Sequence, residues 1–242
     1  MKILVADDEK DIRCAIEQLL ARRGHACVLA RDGDEALELF ERERPDLVIL
    51  DVVMPGRNGF EACRAIREAD ARVPVIMLSA KSDIVDKSVG FSAGCDDYVS
   101  KPFNKDELLM RVEAGLRRVC ASRADAPAAS RGRAVVRIRD LEIHFKRNEV
   151  RLRGKRVEVT PKEFQILAYL GNHAGVALST REIIGHVWGD EYVPESASIA
   201  VFVRKIRNKI EDDPSKPTYL QTVWRQGYRL GNEGESGFRE DQ

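Results

Sequence analysis

Four groups of residues able to do phosphoryl chemistry lie just beyond short apolar runs. Asp7, Asp8 and Glu9 follow Ile3–Ala6, Asp51 follows Leu47–Leu50, and Ser79 follows Val75–Leu78. Lys101, with Pro102 after it, follows Tyr98–Val99. Carboxylates converging at one edge repel one another, and a hard cation among them relieves the repulsion. Mg²⁺ suits such a site, because it takes a few carboxylates and keeps room for water and a phosphoryl oxygen. A carboxylate held there can attack phosphorus and form an aspartyl-phosphate. A lysine and a hydroxyl nearby would stabilise charge on the transferred group. Each residue taken singly has an ordinary reading, since acids after strands are often solvated loop residues or helix caps. Their joint occurrence, always at a strand end, argues for a site.

The elements that must position them alternate regularly. Ile3–Ala6, Cys27–Ala30, Leu47–Leu50, Val75–Leu78 and Tyr98–Val99 read as buried strands. Asp11–Arg22, Asp34–Glu43, Gly59–Glu68, Asp83–Ala93 and Lys105–Val119 read as helices between and after them. Continuous apolar strands predict a parallel sheet covered on both faces. The expected fold is an α/β doubly wound five-stranded parallel sheet of flavodoxin-like type, with ligands at the C-terminal strand ends.

Residues 120–134, small, polar and aperiodic, read as a linker. Residues 135–232 then change pattern, and no internal repeat is visible. Val135–Val159 alternates like antiparallel strands with a turn at Gly154. Thr160, Pro161 and Glu163 form a capping-box signature for a helix. Further helices are expected from Thr180 and over Ser196–Glu211, followed by a hairpin over Tyr219–Leu230 that turns near Arg225–Gly227. Strands, three helices and a hairpin make up an α+β winged-helix domain. The polar tail 233–242 is given no role.

Charge separates the two parts although the chain is neutral overall. Residues 1–121 carry 19 Lys+Arg against 23 Asp+Glu, whereas 122–232 carry 20 against 13. A basic second half fits a polyanion, most often nucleic acid, although charge alone also allows a plain solvated surface. Within Ser196–Glu211, Ile199, Val203, Ile206 and Ile210 share one stripe. Opposite lie Val201 and Asn208, flanked by Ala197, Arg204 and Lys205, a face suited to a major groove. The five cysteines, odd in number and without a C-x-x-C pair, read as reduced packing residues. The N-terminal apolar run is too short for a signal peptide, and no stretch is long enough to span a membrane. A cytoplasmic protein without a membrane partner is expected.

ILVADDE, DLVILDVVMPGRNG, PVIMLSA and GCDDYVSKPF resemble the receiver domain of response regulators over the first 118 residues. VEVTPKEFQILAYL, STREIIGHVWGD, SIAVFVRKIRNKIE and YLQTVWRQGYRL resemble the winged-helix effector of the OmpR/PhoB family over 137–231. The expected organisation is thus a receiver at 1–119, a linker, and a DNA-binding domain at 135–232. The resemblance implies a transcriptional regulator rather than an enzyme, its only chemistry being self-phosphorylation from a sensor histidine kinase's phosphohistidine. Asp51 would accept the phosphoryl group beside the acid pair Asp7 and Asp8. Mg²⁺ would be held by Asp8, Asp51 and the Val53 carbonyl. Lys101 would partner the phosphate, and Ser79 and Tyr98 would form the switch. The family usually has Thr at the Ser79 position.

A phosphorylation-driven homodimer is also implied. Its ion pairs would be Lys87–Glu107, Asp97–Arg111 and Asp96–Arg118, beside a patch of Ser88, Phe91 and Met110. Ser196–Glu211 would be the recognition helix on double-stranded DNA. Thr222–Tyr228, with Thr222 and Arg225, would be the wing, and Gly189–Glu195 would face RNA polymerase. Trp188 and Tyr228 are expected to pack rather than read bases. Two other functions fit the residues less well. An Asp-nucleophile hydrolase needs a second acid two residues past the nucleophile, where Val53 stands. A scaffold would not need an acid cluster, Lys101 and a recognition helix together.

Overall fold

The computed structural model describes residues 1–80, 92–123, 135–188 and 197–231, with backbone alone at 118–123, 197 and 198. The chain divides into two compact units, Met1–Ala124 and Asp125–Gln242.

The first unit runs β1 (Lys2–Ala6), α1 (Lys10–Ala21), β2 (Ala26–Ala30), α2 (Gly33–Glu43), β3 (Leu47–Asp51), α3 (Gly59–Ala69), β4 (Val75–Ala80), β5 (Asp97–Lys101) and α4 (Lys105–Arg123). The sheet order is β2-β1-β3-β4-β5, and all neighbours are parallel. This is the expected sheet. Alternation along each strand sends side chains to opposite faces. Ile3, Val5, Leu47, Ile49, Ile76, Leu78 and Val99 form one core with Ile16 and Leu20 of α1 and Leu108, Val112 and Leu116 of α4. The alternate residues Leu4, Leu50 and Met77 are equally buried, on the face toward α2 and α3.

Local signals set the helix starts. Asn58 and Glu61 close a reciprocal capping box at α3, and Asp32 caps α2 by accepting the Glu35 N–H at 2.8 Å. α4 continues through residues 120–123, which the residue pattern assigns to the linker. No Gly or Pro interrupts those four residues, and the first breaker is Pro127. The expected helix Asp83–Ala93 lies outside the described residues apart from its helical end at 92–93.

The second unit opens with an antiparallel meander, β6 (Val135–Ile138), β7 (Leu141–His144), β8 (Glu149–Leu152) and β9 (Lys155–Val157). Arg153 and Gly154, both at positive φ, make the tight β8–β9 turn. α5 (Pro161–Asn172) begins with the expected capping box, in which Glu163 accepts the Thr160 N–H at 2.8 Å. α6 (Thr180–Trp188) and α7 (Ala197–Ile210) follow, then the hairpin β10 (Leu220–Val223) and β11 (Gly227–Leu230). Leu178 bridges to Tyr228 as a third strand position beside the hairpin. On α7, Ile199, Val203, Ile206 and Ile210 are buried as the periodicity required, and Phe202 joins them. Glu211 ends this helix and accepts the backbone N–H groups of Thr218, Tyr219 and Leu220, which fixes the return to the hairpin.

Gly59 shows how tightly the site-bearing end is built. Its N–H donates to the Val52 carbonyl at 3.0 Å, and a Cβ there would overlap the Asp51 carbonyl oxygen. Gly59→Ala is expected to force α3 away from the end of β3 and cost about 1–3 kcal/mol. Urea denaturation checks this, and an unchanged midpoint would contradict the close approach.

Candidate functional site

Register brings the acidic residues together. Ala6 lies opposite Leu50 across β1 and β3, so the next residues, Asp7 and Asp51, leave adjacent strand ends. The strand order reverses between these strands, and a crevice opens at such a point. On the other side Ala80 lies opposite Lys101 and Ser79 opposite Ser100. One oxygen from each of Asp7, Asp8 and Asp51 falls within 4.8 Å of the others. Asp7 and Asp51 are buried, whereas Asp8 faces solvent.

Lys101 joins the two buried acids. Its Nζ stands 2.8 Å from Asp7 Oδ2 and 2.9 Å from Asp51 Oδ2, with Glu9 at the limit of ion pairing, 4.0 Å away. Burial pushes the Asp51 carboxyl above the usual range, and Asp7 adds to this. Lys101 and a hydrogen bond with the Val53 backbone only partly oppose the rise. Burial disfavours the Lys101 ammonium as well, but Asp7 and Asp51 outweigh it and hold its pKa above the ordinary lysine value.

Asp7 Oδ2 is buried without a well-directed hydrogen bond, and the nearby ammonium is its electrostatic compensation. Three hard oxygen donors, one of them open to water, fit a divalent cation of the Mg²⁺ kind. Sequence reasoning missed Arg13. Its guanidinium donates to the main-chain carbonyls of Asp7 at 2.5 Å and Asp8 at 3.0 Å, and so fixes the loop that carries both acids. No spacing signal announces a contact from a side chain to a carbonyl. Ser79 is buried and donates to the Ala80 carbonyl at 3.1 Å, and Tyr98 is buried. The Val53 side chain is exposed.

The charged face around β5 and α4 differs in part from expectation. Arg111 pairs with Asp97 at 2.6 Å and Glu107 at 2.8 Å within the same chain. Asp96, expected to reach Arg118 of a second copy, is buried. It binds Arg67 at 2.6 Å and the Val75 N–H at 2.9 Å, so it ties α3 to the sheet rather than lining a surface. Met110 is exposed. Lys87, Ser88 and Phe91 lie outside the described residues, as does the side chain of Arg118.

In the second unit Arg204 and Asn208 are exposed on α7 and Lys205 is half-buried. Val201, expected to be exposed, is half-buried. The side chain of Ala197 and the segment Gly189–Glu195 lie outside the described residues. Thr222 and Arg225 are exposed on the hairpin. Thr222 Oγ1 accepts a hydrogen bond from Arg207 at 2.8 Å. Trp188 packs 5.4 Å from Phe202 with the Lys162 ammonium 4.6 Å over its ring, the packing role expected of it.

The raised Asp51 carboxyl has a consequence for stability. A folded pKa above the unfolded one means that the folded state binds protons more readily, so this group's contribution worsens as pH rises through that range. With a chelator present at pH 7, Asp51→Asn is expected to raise the urea midpoint. The gain should shrink as pH falls and the wild-type carboxyl protonates. A lower midpoint at pH 7 would contradict it.

Residues 3–113 match the response regulator receiver domain, and residues 154–230 match the C-terminal domain of transcriptional regulatory proteins. The response regulator DrrB of Thermotoga maritima, an OmpR/PhoB homologue, is 33% identical over 96% of this chain and 99% of that one, with a TM-score of 0.49. The receiver domain of the Francisella response regulator 1452 is 38% identical over 48% of this chain and 97% of that one, with a TM-score of 0.46. A mutant of RitR, 20% identical over 96% of this chain and 99% of that one, has a TM-score of 0.72 and attests the fold alone. Among the described residues no helix is long and apolar enough to cross a membrane. With a receiver domain before a transcriptional-regulator DNA-binding domain, and a full-length match to DrrB, the chain belongs to the OmpR/PhoB family of two-component response regulators.

Proposed function

We propose that Asp51 accepts a phosphoryl group from a sensor histidine kinase and that the loaded protein dimerises on promoter DNA through its receivers to control transcription. The observation that carries this is the Lys101 ammonium, held 2.8 Å from Asp7 and 2.9 Å from Asp51 beside the open crevice. An Asp51 oxygen attacks phosphorus while the bond from phosphorus to the donor imidazole nitrogen breaks and the imidazole leaves with that electron pair. Asp8, Asp51 and the Val53 carbonyl would hold Mg²⁺, which supplies positive charge against the phosphoryl oxygens when bound. Asp7 keeps Lys101 in place as its ammonium turns to the new phosphoryl oxygen. Ser79 exchanges its bond to the Ala80 carbonyl for one to that oxygen, and Tyr98 of β5 reports the change to the dimer face.

Arg111, Asp97, Glu107 and Met110 remain the described candidates for that face, with Lys87, Ser88, Phe91 and Arg118 completing it. A two-fold axis would repeat each pair, so intrachain bonds can be exchanged for equivalent ones across the interface. Ala197, Val201, Arg204, Lys205 and Asn208 are assigned to the major groove, and Thr222 and Arg225 to the wing. Gly189–Glu195 is assigned to RNA polymerase.

Incubation with Mg²⁺ and acetyl phosphate or a phosphorylated kinase is expected to add one base-labile phosphoryl group to the wild type and none to Asp51→Asn. Neither Val53, two residues past Asp51, nor Lys81, two past Ser79, is an acid or amide able to orient water, so the group should persist for minutes. Loss within seconds would reject that reading. The protein carrying a phosphate mimic is expected to sediment as a dimer, and monomer at tens of micromolar would count against the interface. Arg204→Ala is expected to weaken DNA binding and reduce the salt slope by about one. An unchanged slope would displace α7 from the DNA.

A further inference from the structure

Asp7 and Asp8 share the short loop between β1 and α1, and they are held very differently. Both Asp7 oxygens are engaged, Oδ1 by the Glu9 N–H at 2.9 Å and Oδ2 by the Lys101 ammonium at 2.8 Å. The Asp7 N–H also donates to the Ala30 carbonyl at 3.3 Å. Asp8 is exposed, and among the described residues its carboxylate makes no hydrogen bond or ion pair. The direction in which this free acid points therefore depends on the main chain beneath it.

Arg13 grips that main chain. It lies in the first turn of α1, where side chains lean back toward the helix start. Its Nη1 donates to the Asp7 carbonyl at 2.5 Å and to the Asp8 carbonyl at 3.0 Å. These carbonyls belong to the two peptide planes on either side of the Asp8 Cα. Holding both planes fixes φ and ψ at Asp8, and with them the direction of its Cβ. The same guanidinium brings a positive charge close to where a cation would bind, and charge alone would weaken that binding. Arg13 is half-buried, so water and salt screen part of the charge, and the carbonyl dipoles absorb more of it. Orientation acts in the opposite sense, because a carboxylate already aimed gives up less freedom on binding. Groups that orient metal ligands typically change metal affinity by about tenfold to a hundredfold.

We propose that Arg13 is a positioning residue for divalent-cation binding: by fixing both peptide planes around Asp8 it tightens Mg²⁺ binding at the acidic site despite its own positive charge. This rests on the metal reading of that site and adds the residue that tunes its affinity. Because Arg13 belongs to α1, the affinity follows the seating of that helix against the loop.

The test is calorimetric titration of magnesium chloride into the full-length protein as wild type, Arg13→Ala, Arg13→Met, Arg13→Lys and, as a control for the site, Asp8→Asn. Wild type should bind Mg²⁺ at a single site, and Asp8→Asn should lose most of that binding. Arg13→Ala and Arg13→Met should bind about tenfold more weakly. Arg13→Lys, which keeps a donor and the charge, should recover most of the affinity. Arg13→Met keeps the apolar stem, so it carries the test if Arg13→Ala shows no cooperative urea transition. With acetyl phosphate, the Ala and Met variants should need about tenfold more Mg²⁺ for half-maximal phosphorylation and reach the wild-type rate at saturation. Affinity unchanged or raised on loss of the guanidinium would overturn the proposal, a rise showing that its charge outweighs its grip on the loop. Wild type that binds no Mg²⁺, or Asp8→Asn that binds as well as wild type, would overturn the metal reading itself, and the role of Arg13 with it.

Discussion

Asp7 and Asp51 are held out of water at adjacent strand ends, and the ammonium of Lys101 between them makes this tolerable. Buried charges survive when paired, and the removal of one partner leaves the others uncompensated. The compensation is incomplete, since burial still raises the Asp51 carboxyl above its ordinary range. A site with unrelieved negative charge is ready for a cation.

The rest of the first unit holds that arrangement still. The β1–β3 register sets Asp7 beside Asp51, and β4 and β5 carry Ser79 and Lys101 to the same edge. Gly59 lets α3 press against the end of β3, and Arg13 ties down the carbonyls of the loop bearing Asp7 and Asp8. At the opposite strand ends, Arg67 and Asp96 join α3 to the start of β4 and the approach to β5. A charge that looks available in the sequence is thereby committed to the frame.

The second unit uses buried charge in a similar way for a different end. Glu163 is almost fully buried, caps α5 and binds Lys209 of α7 at 2.6 Å. Glu211 gathers three backbone N–H groups at the return from α7 to the hairpin. Arg207 then links α7 to β10. α7 and the hairpin are thus tied to one another.

Much of this was legible in the residues themselves. The apolar runs, the helical stripes, the Thr160–Glu163 capping box and the turn at Gly154 are local signals, because they depend on periodicity, backbone preference or contacts within one turn. The acidic residues and Lys101 could be placed at strand ends for the same reason. Which charges face each other was not local. Asp96 turning inward to Arg67, Arg111 bonding within its own chain, Arg13 reaching carbonyls and Arg207 bracing the wing all depend on segments far apart in sequence meeting at a given register. The sequence determined the elements and the residue types at their ends. Only the tertiary structure decided the partners, because a long charged side chain carries no periodic signal and its partner is chosen by the packing of distant segments.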